Sequence, residues 1–210
     1  MVGPQVMVPR PETELLVEHV LTLCRGKGST GGSCAQILDL GTGCGAIAVV
    51  IARELEGVAV WASDVSQDAL DMARRNAKKH GVEDKIEFVL SDLWQGFSNL
   101  ELTFDVIVSN PPYIKSGAMD TLPPEVRDYE PRHALDGGEE GMLYIRAIIQ
   151  EAPGHLNPAG WILLEMDPDQ TNHALELIEA SKDYGQKVRL KDYSHTYRVV
   201  MAQKVDGPKP

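Results

Sequence analysis

The sequence predicts an α/β fold, a seven-stranded and mostly parallel sheet with helices on both faces and one antiparallel strand near the C-terminus. Three observations carry that expectation. Short apolar runs alternate with longer helical patterns along nearly the whole chain. The first such run leads straight into a glycine-rich turn that opens a helix. The last two strand-like runs are separated by only a few residues, too few for the crossover that parallel neighbours require.

Taken in order, Pro9-Arg10-Pro11-Glu12-Thr13-Glu14 announces the first helix, with proline suited to the first turn and acidic residues near the positive end of the helix dipole; the helix is expected to run to about Leu23. Gly26 to Ser33 is mostly glycine and serine and reads as a loop. Gln36 to Leu40 reads as a short buried strand, Gly45 to Leu55 as a helix, Val58 to Ser63 as a strand and Ser66 to His80 as a helix stopped at Gly81. Strands follow at Ile86 to Leu90 and Phe104 to Ser109. An irregular stretch from Asn110 to Gly138 precedes a helix near Met142 to Glu151, a strand at Trp161 to Met166 and a helix at Asp169 to Ser181. Lys187 to Leu190 and Tyr197 to Met201 complete the set as an antiparallel pair joined through Tyr193-Ser-His-Thr196. Open sheets of this kind place ligands at the carboxyl ends of their strands.

Bulk properties narrow the function. The 210 residues, 43% hydrophobic and 24% charged, suit one sizeable domain. Twenty basic residues against 31 acidic ones give a formal charge of −11, which argues against grip on DNA or RNA through phosphate contacts. A protein or small-molecule partner is expected instead, with no direct nucleic-acid binding. The three cysteines, Cys24, Cys34 and Cys44, have no metal-like spacing and the six histidines are scattered, so neither a metal site nor a disulfide framework is expected. No apolar run approaches the ~20 residues of a membrane helix, and the start shows neither a signal-peptide core nor an Arg-rich transit pattern. No membrane partner is therefore expected. The abrupt opening is consistent with a domain cut from a longer protein. Residues 1–203 are expected to form a catalytic domain and 204–210 a flexible tail.

Asp39-Leu-Gly-Thr-Gly-Cys-Gly45 carries the first chemistry. Gly41, Gly43 and Gly45 permit a tight turn and close backbone approach to a ligand, with Thr42 and Cys44 between them. The spacing is not that of a dinucleotide fingerprint, and the lysine of a P-loop is missing. S-adenosylmethionine fits better, its methionine part needing backbone donors and its ribose a carboxylate at the end of the next strand, where Asp64 stands beside Val65. Asp92 is placed for the adenine edge and Leu93 for its face. Plain helix capping is the alternative for either aspartate alone.

Asn110-Pro111-Pro112-Tyr113 follows the fourth strand directly. A carboxamide or exocyclic adenine nitrogen has a delocalised lone pair, so its methylation calls for acceptors that hold the NH₂ and aim the lone pair. The Asn110 side-chain oxygen and the Pro111 carbonyl each suit one N–H, Tyr113 suits the flat face of the group, and Pro111 and Pro112 stiffen the loop. No strong general base is demanded. Arg10, Glu12 and Glu14 are candidates for shaping the cofactor or substrate mouth, with ordinary helix-start chemistry as the alternative; Glu165 has the same standing. His133 and His195 are expected to be surface residues, and Ile114 to Tyr129 a substrate-ordered lid or a solvated connector.

Together, Arg10-Pro-Glu-Thr-Glu14, Asp39-Leu-Gly-Thr-Gly-Cys-Gly-Ala-Ile47, Ser109-Asn-Pro-Pro-Tyr-Ile114 and Glu130-Pro-Arg-His-Ala-Leu-Asp-Gly-Gly-Glu-Glu-Gly-Met142 resemble the HemK/PrmC glutamine methyltransferases over nearly the whole chain. The resemblance implies a Rossmann-like class I S-adenosylmethionine-dependent methyltransferase acting on the glutamine of the Gly-Gly-Gln motif in a class 1 peptide chain release factor. It implies cofactor positions at Gly41 to Gly45, Asp64 and Leu93, and a glutamine site at Asn110 to Tyr113. It also implies a cytoplasmic location for a bacterial source, and a mitochondrial or other organellar one for a eukaryotic source. Two departures stand out. Members usually carry a small N-terminal helical domain that grips the release factor, and nothing in the 210 residues corresponds to it, so weaker substrate binding is expected. Asp167 occupies a position where the common bacterial form has glycine, which is more reminiscent of organellar members. Asn-Pro-Pro-Tyr is shared with adenine N6 methyltransferases of DNA or RNA, the alternative reading, from which the acidic charge separates this chain. A protein that senses the cofactor without catalysis would not need that motif intact.

Overall fold

The computed structural model describes residues 1–27, 36–98 and 100–205. Its seven strands are β1 (Gln36–Leu40), β2 (Ala59–Asp64), β3 (Ile86–Leu90), β4 (Phe104–Ser109), β5 (Leu156–Glu165), β6 (Tyr184–Lys191) and β7 (Tyr197–Lys204). They form one sheet in the order β3-β2-β1-β4-β5-β7-β6. All neighbouring pairs are parallel except those of β7, which runs antiparallel to both β5 and β6. The helices are α1 (Glu14–Lys27), α2 (Ala46–Glu54), α3 (Gln67–Lys79), α4 (Pro124–Arg127), α5 (Leu143–His155) and α6 (Thr171–Ser181).

The central strands read as continuous apolar runs because both of their faces are covered. Ile37, Val106, Val108 and Leu163 point to one face, where Leu16 and Val20 of α1 and Ile47 and Ile51 of α2 meet them. Their alternates Leu38, Leu40, Ile107, Ile162 and Leu164 point to the other, against Ile145 and Ile148 of α5 and Ala174 and Ile178 of α6. The chain steps outward from β1 to β3, then returns to lay β4 on the opposite side of β1. The carboxyl ends of β1 and β4 therefore flank the reversal point, and the loops leaving them diverge to leave a crevice.

Several boundaries differ from the sequence expectation, each for a local reason. Helix α1 runs past Leu23 to Lys27 because Cys24 continues the buried stripe of Leu16 and Val20. Most of the expected glycine–serine loop, residues 28–33, lies outside the described residues, as does Cys34. Helix α5 continues beyond Glu151 through Pro153, with Ala152 buried beneath it. Strand β5 starts at Leu156 rather than Trp161, since Leu156 pairs with Phe104 before a register shift absorbs the residues around Gly160. Strand β6 starts at Tyr184, whose hydroxyl donates to the Ile149 carbonyl at 2.8 Å. Strand β7 extends through Lys204, placed in the tail by the sequence; its Nζ donates to the carbonyls of Pro153 and Leu156, both at 2.7 Å. The rest of that tail beyond Val205 lies outside the described residues. Among the described residues, no helix is long and apolar enough to cross a membrane and no group of three ligating side chains is placed to hold a metal ion.

Candidate active site

The loop after β1 is tied down at several points. The Gly41 and Thr42 amides both donate to the Ser63 carbonyl at the end of β2, at 2.9 and 2.8 Å. The Asp39 side chain is fully buried below the loop, and its Oδ2 accepts from the Thr42 hydroxyl at 2.6 Å and from the Ala48 amide at 3.0 Å. Asp39 thereby satisfies one of the open amides in the first turn of α2. Burial pushes its carboxyl up to about 7, against the opposing pull of those two donors. Gly45, with φ 80°, caps α2 directly against α3, where a Cβ would fall 2.9 Å from the Ala73 Cβ.

Asp64, at the end of β2, accepts from the Gly43 amide through Oδ2 and from the Ser66 amide through Oδ1, each at 2.9 Å. This fixes its carboxylate at the edge of a cavity of about 520 Å³. Gly41, Thr42, Gly43, Cys44, Asp64, Val65, Asp92, Leu93, Asn110, Pro111 and Pro112 all line that cavity. Leu93 holds a left-handed backbone at φ 47°, stabilised by the Ser91 hydroxyl donating to its carbonyl at 2.6 Å, and this turns it toward the cavity after β3. Gly45 and Glu12 do not line the cavity; Gly45 acts from behind, through helix packing. Cys44 is buried, and burial raises its thiol above the usual range, which suits a wall residue rather than a nucleophile.

Across the crevice, the Ser109 hydroxyl donates to the Leu40 carbonyl at 2.6 Å and clamps the end of β4 to the end of β1. Asn110 follows. Its Nδ2 donates to the Thr13 hydroxyl at 3.1 Å, and the same hydroxyl donates to Glu165 Oε2 at 2.9 Å. The Asn110 Oδ1 is buried and has no partner. Pro111 and Pro112 line both the large cavity and a small neighbouring one of about 40 Å³, which Arg10 and Tyr113 also line. Arg10 donates to Glu130 Oε1 at 2.6 Å, linking the segment before α1 to the loop beyond Tyr113. Burial is the main influence on the Tyr113 hydroxyl and raises its pKa.

The back of the Asn-Pro-Pro-Tyr loop is held by two segments. Ile114 pairs with Asp136 in a parallel bridge: its amide donates to the Leu135 carbonyl at 2.9 Å, and the Gly137 amide donates to the Ile114 carbonyl at 2.7 Å. The Gln170 Nε2 donates to the carbonyls of Tyr113 at 2.8 Å and Gly141 at 3.1 Å, while its Oε1 accepts from the Asp167 amide at 3.0 Å. Gly141 allows this approach, since a Cβ there would lie 2.4 Å from that Nε2. The Asp136-Gly-Gly stretch thus braces the loop. The connector from Ile114 to Tyr129 is partly structured, with a 3₁₀ turn at Ser116–Thr121 followed by α4. His133 is exposed at the cavity rim, and His195 sits in the β6–β7 turn, remote from the cavity in sequence and not among its lining residues.

Sequence reasoning missed Thr13 as part of the site, as well as Val6, Met7, Pro9 and Tyr144 in the cavity wall and Gln170 behind the loop. The acceptor-rich pattern of Pro-Glu-Thr before α1 gave no signal of its own, because a threonine at a helix start ordinarily caps that helix.

The cavity fits S-adenosylmethionine. Cβ atoms built on Gly41 and Gly43 meet nothing within 4 Å, so the backbone at those positions borders open space. Together with the fixed Asp64 carboxylate and an apolar wall at Leu93, that is a donor, acceptor and surface set suited to an amino acid, a ribose and a flat base.

Comparison with known proteins agrees. The family model described as "Methyltransferase small domain" matches residues 11–123. A release factor glutamine methyltransferase of Gloeobacter violaceus is 39% identical over 202 residues, covering 95% of this chain and 68% of that protein. One from Chlorobaculum tepidum is 43% identical over 182 residues, covering 86% of this chain and 62% of that protein. The chain thus spans about two thirds of the length of these curated relatives. A T. thermophilus 16S rRNA methyltransferase solved in complex with AdoMet and guanosine superimposes with a TM-score of 0.63 at 25% identity, covering 94% of this chain and 44% of that one. Sheet order, cavity and relatives converge: the chain belongs to the release factor glutamine methyltransferase family of S-adenosylmethionine-dependent enzymes.

Proposed function

We propose that this chain transfers a methyl group from S-adenosylmethionine to the side-chain amide nitrogen of the glutamine in the Gly-Gly-Gln motif of a class 1 peptide chain release factor. The observation that carries the reading is the Asn110 side chain: its NH₂ donates to Thr13, its buried Oδ1 has no partner, and the residue lines the cavity. A buried acceptor without a donor costs stability unless a ligand supplies the donor. An amide or amine N–H of a substrate is such a donor.

In this reading Gly41 to Gly45, Asp64, Val65, Asp92 and Leu93 hold the cofactor, which when bound supplies an electrophilic methyl group on a sulfonium. Asn110 Oδ1 takes one N–H of the substrate carboxamide and the Pro111 carbonyl the other, which favours the pyramidal nitrogen of the transition state over the planar ground state. Arg10, Pro112 and Tyr113 around the small cavity shape the entry of the glutamine stem, with Glu12 nearby in sequence. The loop is held in place before substrate arrives, so little ordering remains to be done. Residues 1–203, with Lys204 at the end of β7, form the catalytic domain. The formal charge of −11 supports a protein substrate over a nucleic acid.

The test is methyl transfer from labelled S-adenosylmethionine to a purified class 1 release factor, beside a version with Gln→Ala in the Gly-Gly-Gln loop and an adenine-containing DNA. Label on the unaltered factor alone is expected. Label on DNA alone would overturn the reading in favour of an adenine methyltransferase.

A further inference from the structure

A side-chain carboxamide has two ends of nearly the same shape and opposite hydrogen-bonding sense, so its usefulness as an acceptor depends on which end faces the substrate. At Asn110 the wrong orientation would present an NH₂ to the incoming N–H. The geometry points to Thr13 and Glu165 as positioning residues that fix the orientation of the Asn110 amide, an inference that rests on the proposed role of Asn110 as acceptor of the substrate N–H.

The bonds around Asn110 share one direction, through Thr13 and by direct contact of Asn110 with Glu165. Glu165, as a carboxylate, can only accept. The Thr13 hydroxyl has a single hydrogen and spends it on Glu165 Oε2 at 2.9 Å, so a lone pair is what it offers to Asn110. Only the NH₂ end can answer a lone pair, and Nδ2 does so at 3.1 Å. Oδ1 is thereby turned to the other side, where it is buried with no protein partner. Glu165 and Thr13 are themselves 1% and 7% exposed, so water does not compete for these groups. The segment before α1 thus meets the carboxyl ends of β4 and β5 through one hydroxyl.

Protonation of Glu165 would remove the direction, because a carboxylic acid can donate to Thr13 and release its hydrogen toward Asn110. Burial pushes the Glu165 carboxyl up to about 7, with Glu12 adding in the same direction and Thr13, Arg198 on β7 and Asn110 opposing. Tyr113, whose hydroxyl is influenced by Glu165, also faces it. The orientation is expected to be firm above that pH and to loosen below it.

The experiment uses the intact 210-residue chain and the variants Thr13→Val, Thr13→Ser and Glu165→Gln. In ¹⁵N-labelled protein without ligand, the Asn110 side-chain NH₂ signals should move with pH around 7 in the unaltered chain and in Thr13→Ser, clearly less in Thr13→Val, where only the direct contact of Asn110 with Glu165 remains, and not in Glu165→Gln. With release factor as substrate, Thr13→Val should lower kcat ~100-fold, while calorimetric affinity for S-adenosylmethionine stays within about threefold and Thr13→Ser retains most of the activity. The kcat of the unaltered chain should fall below pH 7 along a one-proton limb that Glu165→Gln lacks. Asn110 signals indifferent to pH in the unaltered chain, or equally responsive in Thr13→Val, would overturn the inference whatever the enzyme methylates. So would a Thr13→Ser variant as impaired as Thr13→Val. An unaltered chain that shows the coupling yet labels no release factor would instead count against the proposed substrate.

Discussion

Two glycines two positions apart in the loop after β1 do different work. Gly45 has φ 80° and its missing Cβ would overlap Ala73 of α3, side chain and backbone alike, at 2.9 and 3.1 Å. Gly43 has φ 56° with open space where a Cβ would be, on the cavity side of its bond to Asp64. Gly45→Ala combines backbone strain with overpacking and should cost roughly 2–4 kcal/mol of stability. Gly43→Ala should cost less in stability and more in affinity for S-adenosylmethionine, since the added methyl stands at the cavity wall. Thermal melts and calorimetric titrations on both variants separate the effects, and a Gly45→Ala protein that melts with the parent would contradict this account. At this scale the sequence was informative about residue types and silent about partners. Asp64 and Asn110 were legible because each follows a strand at the carboxyl edge. Thr13 was not, because its importance lies in contacts with residues 97 and 152 positions away in sequence.

Among the elements, β1 and β4 carry the loops of the proposed site and the segment from Leu135 to Gly141 braces the second of them. Apolar runs made the strands readable, and β1 and β4, each buried at all but one residue, are the clearest of them. What escaped the sequence were features that depend on a partner: the early start of β5 opposite Phe104, the extension of α1 under Cys24, and the bracing of the Asn-Pro-Pro-Tyr loop. Gln170 shows why. Between Asp167 and Thr171 it reads as part of a helix start, and it does close a capping box with Asp167. Yet its NH₂ also holds the carbonyls of Tyr113 and Gly141, and the residue is 4% exposed. Gln170→Ala leaves those carbonyls short of a donor and should destabilise the chain by about 1–3 kcal/mol. Amide exchange at Ile114 and Gly137 should accelerate with it. Exchange unchanged at those amides would mean that the loop is held without Gln170.

For the molecule as a whole, the doubly covered sheet leaves its one reversal point between β1 and β4 open at their carboxyl ends, and the cavity there is lined by Gly41 to Cys44, Asp64, Val65, Asp92, Leu93 and Asn110 to Pro112 but not by Gly45 or Glu12. The strand order came from the structure, whereas fold class and the placing of ligands at the carboxyl ends of the strands follow from local patterns plus the general behaviour of open parallel sheets. The polarity of the site does not, since it is set by buried hydrogen bonds between distant segments. Net charge acts at this scale too: a formal charge of −11 gives the molecule a negative long-range field, which supports the proposed protein substrate over a nucleic acid. The most direct measurement is to react the release factor with the unaltered chain and with Asn110→Ala, and to locate the added methyl by peptide fragmentation. The account predicts one methyl on the side-chain nitrogen of the Gly-Gly-Gln glutamine, with a rate lower by roughly 100-fold or more in Asn110→Ala at nearly unchanged affinity for S-adenosylmethionine. A methyl found on another residue, or an Asn110→Ala enzyme as fast as its parent, would contradict it.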